Sequence, residues 1–354
     1  MFSTFFRFEL RYWLRGMMLY VFIIIMSLMM FGAASVDEIQ VGFNLKNINR
    51  NAPFAIQMFY VATSTLSCLM VTAFVNAAAC RDFSHNTHQL IFTKPMSKFG
   101  YLMGRFWGSV AISVLPMLGA SIGVLAAQYM PWADPKKWGP IHWEAHFLGI
   151  VCFAIPNAIF IGCIVFAIAS WTRSALASFV GIMGLIVGLS IAALLAGDLE
   201  NETLLMFIDP FGESSFLQAT KYWTVAQRNT QALGLTGPLL RNRLLWLSVG
   251  GVILAITCWR FSFSGEPGEL RQWTHSIFFV LFLMDPEIPV VGWLARTGIC
   301  LLTLPLALLS GYRHGPTDDS SSRSVRALPA VKPRSGFGAS LTQLRSQIRV
   351  DAVS

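Results

Sequence analysis

Apolar windows separated by short charged segments make up most of the first 260 residues of the chain. Six windows contain no Asp, Glu, Lys or Arg, and they span residues 16–36, 51–80, 106–133, 145–172, 174–197 and 244–259. A helix that crosses a bilayer needs about 20 apolar residues. The pattern therefore predicts an all-α, polytopic membrane protein built on a six-helix bundle. The sixth window is short, and Arg243 and Arg260 at its ends are expected to extend to the membrane interface.

The composition argues against the soluble classes of protein. Charged residues make up 12% of the chain, about half of the ~25% that is typical of soluble domains. The mean hydropathy is +0.57, which disfavours a cytosolic enzyme, a secreted module and a disordered scaffold. The net charge of +8 comes from scattered basic residues, so the expected partner is a lipid bilayer and no nucleic acid.

Lys and Arg in the short connections predict the orientation in the membrane. Eight of them lie in the N-terminal segment, the connection between the second and third windows and the link between the fourth and fifth, against four in the opposite short connections. Cytoplasmic loops carry the excess of Lys and Arg. We therefore expect a multi-pass protein of a bacterial-type inner (plasma) membrane with a cytoplasmic N-terminus.

The first 15 residues predict an amphipathic helix ahead of the first span. Arg7, Arg11 and Arg15 recur every four residues and so share one side of a helix, while Trp13 belongs to its apolar part. Such a helix lies in the plane of the membrane interface. The alternative is a basic anchor for the first span without any further role.

Residues 81–105 form the longest predicted cytoplasmic connection in the first 260 residues. His85 and His88 stand three residues apart, but no Cys or third ligand lies nearby, so two solvated histidines are expected and no metal site. Pro95 is expected to begin a new helix. The candidate interaction residues of this segment are Arg81, Asp82, Phe83, Leu90, Ile91, Phe92, Pro95, Lys98 and Arg105.

Residues 198–243 form a long connection that is predicted on the outer side. The run from Asp209 to Gly212 is a turn sequence, and recurring apolar residues predict a segment folded against the outer mouth of the bundle. Its candidate residues are Asp209, Pro210, Phe211, Gly212, Tyr222, Trp223, Arg241 and Arg243.

Polar and small residues inside the windows have two interpretations, helix packing and contact with a substrate. Gly184 and Gly188 stand in GxxxG spacing, which favours packing. Asn157, beside Pro156, is the best single candidate for a further role.

Enzyme motifs are absent from the sequence. There is no GxxxxGK[ST] for nucleotide binding and no HExxH for zinc, because Glu144 in the segment from His142 to His146 is displaced by one position. We therefore expect no catalytic residue, no cofactor and no bound metal.

The chain changes character after residue 264. Residues 265–312 hold broken apolar runs, near 276–312, which predict a seventh span, a hairpin or an interfacial segment. Residues 313–338 are rich in Ser, Arg and Pro and predict a disordered basic linker. Residues 339–354 return to the pattern of an amphipathic helix.

Several of these features together resemble the permease subunits of type-2 ATP-binding-cassette (ABC) transporters. Residues 1–15 resemble their elbow helix. The bacterial coupling segment P-[IM]-S-[RK]-x-x-Y-x-x-G-[RK] is matched by Pro95, Met96, Ser97, Lys98, Tyr101, Gly104 and Arg105. The sequences IDPFG at 208–212, YWT at 222–224 and RNRLLW at 241–246 resemble a bacterial subgroup whose longer members carry a second membrane half and a zinc aminopeptidase domain.

The resemblance covers roughly residues 1–264 and implies a six-span permease domain, expected to export its substrate with power from a separate ATPase. That ATPase would dock on residues 81–105, where Arg81, Lys98 and Arg105 are expected to pair with its acidic groups. A homodimer or a second permease half would complete the transporter. Residues 339–354 resemble the start of a second half, which predicts a truncated or split version of a longer protein, while the zinc site of the fused forms has no counterpart in the sequence. The alternatives are a structural or assembly membrane protein without transport and, less favoured, an intramembrane enzyme.

Overall fold

The computed structural model describes residues 1–35, 48–85, 87–93, 96–198 and 206–261, and every regular element in these ranges is helical. α1 (Phe2–Arg15) and α2 (Met17–Ser35) are followed by α3 (Pro53–Ala62), α4 (Ser64–Ser84), α5 (His88–Phe92) and α6 (Lys98–Gln128). The next elements are α7 (Trp143–Gly149), α8 (Ile155–Thr172), α9 (Ala175–Asp198), α10 (Glu213–Ala219), α11 (Val225–Thr230) and α12 (Gly237–Arg260). The predictions for residues 265–354 lie outside the described ranges.

Five helices in the described ranges are long and apolar enough to cross a membrane, and they are α2, α4, α6, the continuous helix Trp143–Thr172 and α12. The predicted fifth window corresponds to α9, whose stretch Ala175–Ile191 is a shorter apolar helix. The prediction of an all-α protein with several apolar helices suited to a multi-pass membrane protein is therefore confirmed at this level.

Two apolar windows contain breaks that the hydropathy pattern does not reveal. The window at 51–80 divides at Thr63 into α3 and α4, where the hydroxyls of Thr63 and Ser64 donate to the carbonyls of Phe59 and Tyr60 at 2.8 and 3.0 Å. Hydroxyls that bond back to the helix compete with its own ladder and bend it. The second break is a π-helical turn, Ile150–Ala154, between α7 and α8. Pro156 follows it and has no N–H to donate.

α6 begins at Lys98, well before the apolar window at 106–133, and runs for 31 residues. The hydroxyl of Ser97 accepts a hydrogen bond from the backbone N–H of Gly100 at 3.2 Å and so caps the helix. The predicted start of this element at Pro95 cannot be placed, because Pro95 lies outside the described ranges. Tyr101 and Arg105 therefore lie on this helix, ahead of the apolar window.

α1 and α2 both pack against α6, and glycines on α6 allow the close approach. A Cβ atom at Gly104 would lie 2.6 Å from the Cβ of Phe5 in α1, and one at Gly119 would lie 2.6 Å from the carbonyl oxygen of Ile23 in α2. Any side chain at these positions would push the helices apart. A Cβ atom at Gly188, by contrast, would meet no atom of another helix within 4 Å among the described residues, so this glycine makes no close helix contact there.

Candidate functional site

Four charged side chains from α1, α4 and α6 meet in a buried ionic cluster, which we name the inner ion cluster (Glu9, Arg81, Asp82 and Arg105). Arg105 on α6 binds Glu9 through one terminal nitrogen and Asp82 through the other. Arg81 Nη1 lies 3.0 Å from Glu9 Oε1. The four side chains are between 0 and 10% exposed. Their formal charges sum to zero, as burial of several charges requires.

Helix geometry explains how the sequence assembles this cluster. Arg81 and Asp82 lie in the last turn of α4. Tyr101 and Arg105 are four residues apart on one side of α6, where the Tyr101 hydroxyl donates to Asp82 Oδ2 at 2.8 Å. The Arg81 guanidinium also lies 3.8 Å from the centre of the Tyr12 ring in α1. The cluster thus ties the N-terminal helix to both ends of the connection at 81–105.

The cluster corrects one prediction about that connection. Arg81 and Arg105 were expected to be available for acidic groups on a partner, yet both are engaged within the chain. Lys98 also has an internal partner, since its Nζ donates to the carbonyl oxygen of Trp259 at 2.9 Å. The cationic surface expected at this loop is therefore largely satisfied by the protein itself.

The apolar candidates of the same connection separate into two groups. Phe83 and Phe92 pack against each other, with ring centres 5.9 Å apart, and Phe92 also lies 5.7 Å from the Tyr101 ring. Ile91 is half-buried. Leu90 is 72% exposed, so it is more exposed than Ile91 and Phe92, the other apolar side chains of α5.

The two histidines of this connection have different surroundings. His88 stacks near the Phe83 ring, with 5.1 Å between ring centres, and His85 is exposed at the end of α4. Among the described residues, no group of three or more His, Cys, Asp or Glu side chains is placed to hold a metal ion.

The N-terminal candidates occupy opposite sides of α1. Arg7, Arg11 and Arg15 are exposed along one side. Trp13 is buried and packs edge-on against Phe74 of α4, with 4.8 Å between ring centres. Sequence reasoning missed Glu9, which is four residues before Trp13 on the same side. A lone acidic residue on the side opposite the arginines was the signal that could have identified it.

A second polar network, which we name the outer network (Ser64, Asn157, Arg243 and the carbonyls of Pro210 and Phe211), lies at the other end of α4. Arg243 Nη1 donates to Asn157 Oδ1 at 2.8 Å and to the Pro210 carbonyl at 3.0 Å, and its Nη2 donates to the Phe211 carbonyl. Asn157 Nδ2 donates in turn to Ser64 Oγ at 2.9 Å. Ser64 and Asp82 are 18 residues apart on one helix, so the two networks are separated by about 27 Å.

The sequence predicted that Arg243 extends to the membrane interface, and this prediction is not met. The residue is only 3% exposed and its side chain points into the protein. The guanidinium stands 5.3 Å from the centre of the Phe153 ring in the π-helical turn. The network joins α12, both helix breaks and the turn at 208–212. Asn157 and the turn residues, selected separately from the sequence, thus meet at one place.

The turn at 208–212 is shaped by its own polar residues. Asp209 accepts hydrogen bonds from the backbone N–H groups of Phe211 and Ser214, both at 2.8 Å. Gly212 has φ = 76°, and a Cβ atom there would lie 2.7 Å from Cζ of Arg243. Burial, with a smaller contribution from the Asp209 carboxylate, raises the pKa of Glu213 above its usual value.

The remaining outer candidates stand apart from this network. Tyr222 is 87% exposed and Arg241 is exposed on α12, whereas Trp223 packs partly buried against the main apolar core. These three side chains therefore share a segment with the network without joining it.

One further polar contact, between Tyr60, Ser121 and His146, was not found from the sequence. Ser121 Oγ lies 2.6 Å from the Tyr60 hydroxyl and 2.8 Å from His146 Nδ1. A serine nucleophile also needs a group that orients the histidine and donors for an oxyanion. Within the described ranges the hydrogen bonds of His146 include no carboxylate, and the contact joins α3, α6 and α7.

No protein-family model, no curated protein and no solved structure matches this chain.

Proposed function

We propose that the chain is the membrane-spanning permease subunit of an ABC-type transporter, expected to be an exporter, that is powered by a separate ATPase. In this proposal α1 is the interfacial elbow helix, α9 completes a six-span bundle, and the N-terminus is cytoplasmic in a bacterial-type inner membrane. A homodimer or a second permease half completes the transporter.

The inner ion cluster is the observation that carries this proposal. A permease without a nucleotide site must receive work at its cytoplasmic side through a part of the chain that is firmly joined to the spans. Glu9, Asp82 and Arg105 bring together α1, the end of α4 and the start of α6, and α5 lies between the last two. A force applied to α5 would therefore move α4, α6 and α1 together as one unit.

The outer network supports the same proposal from the other side. Arg243 and Asn157 join the turn at 208–212 to the π-helical turn and to the break at Thr63. Breaks in helices are where the chain absorbs bending. A displacement of α4 at its inner end would therefore also move the outer network. Such coupling suits a bundle that alternates between inward-open and outward-open states.

The orientation is tested by labelling two exposed positions. Leu90→Cys and Tyr222→Cys, each in a background without the six native cysteines, place thiols at side chains that are 72% and 87% exposed. We expect a membrane-impermeant maleimide to label Tyr222→Cys in intact cells and Leu90→Cys only in inverted vesicles. Labelling of both from the same side would contradict the proposed topology.

The ATPase contact is tested by co-purification with a candidate ATPase carrying Walker motifs, encoded beside this chain. Leu90→Asp is expected to reduce capture of that ATPase by about tenfold, because it removes an exposed apolar contact and introduces a charge. Tyr222→Asp is the matched control, since it adds the same charge at an exposed site on the other side and should leave capture unchanged.

Two results would contradict different parts of this proposal. Undiminished capture by Leu90→Asp, with stimulated ATP hydrolysis, would remove α5 as the docking element. Absence of any ATPase partner for the wild-type chain would favour the assembly protein instead.

A further inference from the structure

The side of α1 that faces away from α6 carries three unpaired cations, which we name the arginine face (Arg7, Arg11 and Arg15). All three side chains are exposed, and none forms an ion pair among the described residues. Their spacing places them along about 12 Å of one side of the helix. Glu9, the acidic residue of α1, is fully buried on the opposite side, so it does not neutralise them.

The surroundings of the arginine face are apolar. Phe8 and Tyr12 are 47% and 48% exposed on one flank, and Leu14 is 46% exposed on the other. Side chains of this kind occur beside cations where a helix lies in the headgroup region of a bilayer. An acidic protein partner would leave the Phe8 and Tyr12 rings in water unless it also had a matching apolar groove. The combination of cations and apolar side chains on α1 therefore favours lipid as the partner.

The position of the arginine face along the chain leads to the same conclusion. Gly16, with an extended backbone, separates Arg15 from α2, and the Tyr20 hydroxyl donates back to the Leu14 carbonyl at 2.9 Å. α2 is apolar throughout and exposes Met17, Ile24 and Leu28 at 56 to 80%. The cations therefore stand where an apolar helix that suits a bilayer begins, which is the level of lipid phosphates.

We infer that the arginine face is a binding site for anionic phospholipids, with the three guanidinium groups contacting headgroup phosphates and Phe8 and Tyr12 contacting the upper part of the acyl chains. Guanidinium groups suit phosphate oxygens because their N–H donors form paired hydrogen bonds. The opposite side of α1 holds Glu9 against Arg105. A bound anionic lipid thus fixes α1 between the membrane surface and the inner ion cluster. This inference goes beyond the proposed transport function and does not depend on an ATPase.

The test compares retention of two lipids by the purified full-length chain. Protein in nanodiscs that contain equal amounts of phosphatidylglycerol and phosphatidylcholine is released into detergent, and bound lipids are counted by native mass spectrometry. We expect wild-type protein to retain phosphatidylglycerol in preference. Arg7→Gln with Arg11→Gln should lower that preference by about 10- to 30-fold, the effect of two basic residues beside an anionic surface.

Matched variants separate this site from a general effect of charge. Lys136→Gln with Arg241→Gln removes two exposed cations elsewhere and should retain the wild-type preference. Arg7→Lys with Arg11→Lys should retain part of it, because the positive charges remain while the paired hydrogen bonds to phosphate oxygens are lost. A monodisperse elution profile confirms that each variant is folded.

Three outcomes would overturn the inference. The first is an unchanged lipid preference in the Arg7→Gln and Arg11→Gln variant, and the second is an equal loss in the Lys136→Gln and Arg241→Gln control. The third is an unchanged lipid preference together with lost capture of an ATPase, which would assign the arginine face to a protein partner.

Discussion

Replacing Arg105 with Met is expected to lower the free energy of unfolding by about 3–5 kcal/mol, the cost of removing one partner from a buried ionic arrangement. Arg105 is the one described residue that contacts both acids of the inner ion cluster. Without it, the partners left among the described residues are Arg81 for the Glu9 carboxylate and the Tyr101 hydroxyl for the Asp82 carboxylate. The measurement is equilibrium unfolding in mixed micelles, with hydrogen exchange of α1 as a local readout.

The control for this prediction is Arg7→Met, which makes the same chemical change on the exposed side of α1 and should shift stability by less than about 0.5 kcal/mol. A second pair of variants tests charge balance. Glu9→Gln leaves the cluster with an uncompensated positive charge, and adding Arg81→Gln returns it to neutrality, so the double variant should be more stable than Glu9→Gln alone. Equal behaviour of Arg105→Met and Arg7→Met would show that the cluster is not a structural junction.

Replacing Arg243 with Met is expected to release the turn at 208–212 from the helices behind it. Two buried acceptors, Asn157 Oδ1 and the Pro210 carbonyl, and the part-buried Phe211 carbonyl lose their donor at once. A hydrogen bond to a charged group contributes about 1.5–3 kcal/mol, so the loss is expected to exceed about 3 kcal/mol even without additivity. Hydrogen exchange of residues 208–216 should accelerate by about 100-fold or more.

Arg241→Met provides a matched control, since it lies two residues earlier on the same helix, is exposed and should leave exchange unchanged. Gly212→Ala approaches the same junction independently. Its Cβ atom would meet the Arg243 guanidinium, and a positive φ is strained for alanine, so exchange in this turn should accelerate as in Arg243→Met. Arg243→Lys should exchange almost as fast as Arg243→Met, because one ammonium group cannot reach three acceptors that are arranged around a planar guanidinium group. If exchange stays slow in Arg243→Met, Arg243→Lys and Gly212→Ala, other contacts stabilise the turn.

Hydrophobic patterning predicted the location of most helices because a 20-residue apolar run has few other stable forms. It missed the break at Thr63 and the π-helical turn. Both are small shifts in hydrogen bonding that leave the hydropathy of the window unchanged. The uncharged window at 106–133 also leaves out the first turns of α6, which begins at Lys98, because a window without charges ends at Arg105. Arg105 lies inside α6 because its charge is matched by acids on other helices, and a window average cannot represent such a match.

Some site residues were recognised from the sequence and others were missed, because their roles depend on contacts between distant segments. Asn157 and the turn at 208–212 were recognised from local features, a proline neighbour and a turn sequence. Their meeting at Arg243 depends on contacts between segments 86 and 33 residues apart. Glu9 was missed because its importance comes wholly from Arg81 and Arg105. Pairings at such distances are set by the packing of helices, which no local pattern encodes.

The sequence separation within the inner ion cluster also has a consequence for biosynthesis. Glu9 precedes Arg105 by 96 residues, and a ribosome adds about 5–20 residues per second. For about 5–20 seconds the nascent chain therefore carries an acidic group whose main partner has not been made. We expect α1 to remain at the aqueous edge of the translocation machinery during that interval. Its docking against α6 would follow the insertion of α6.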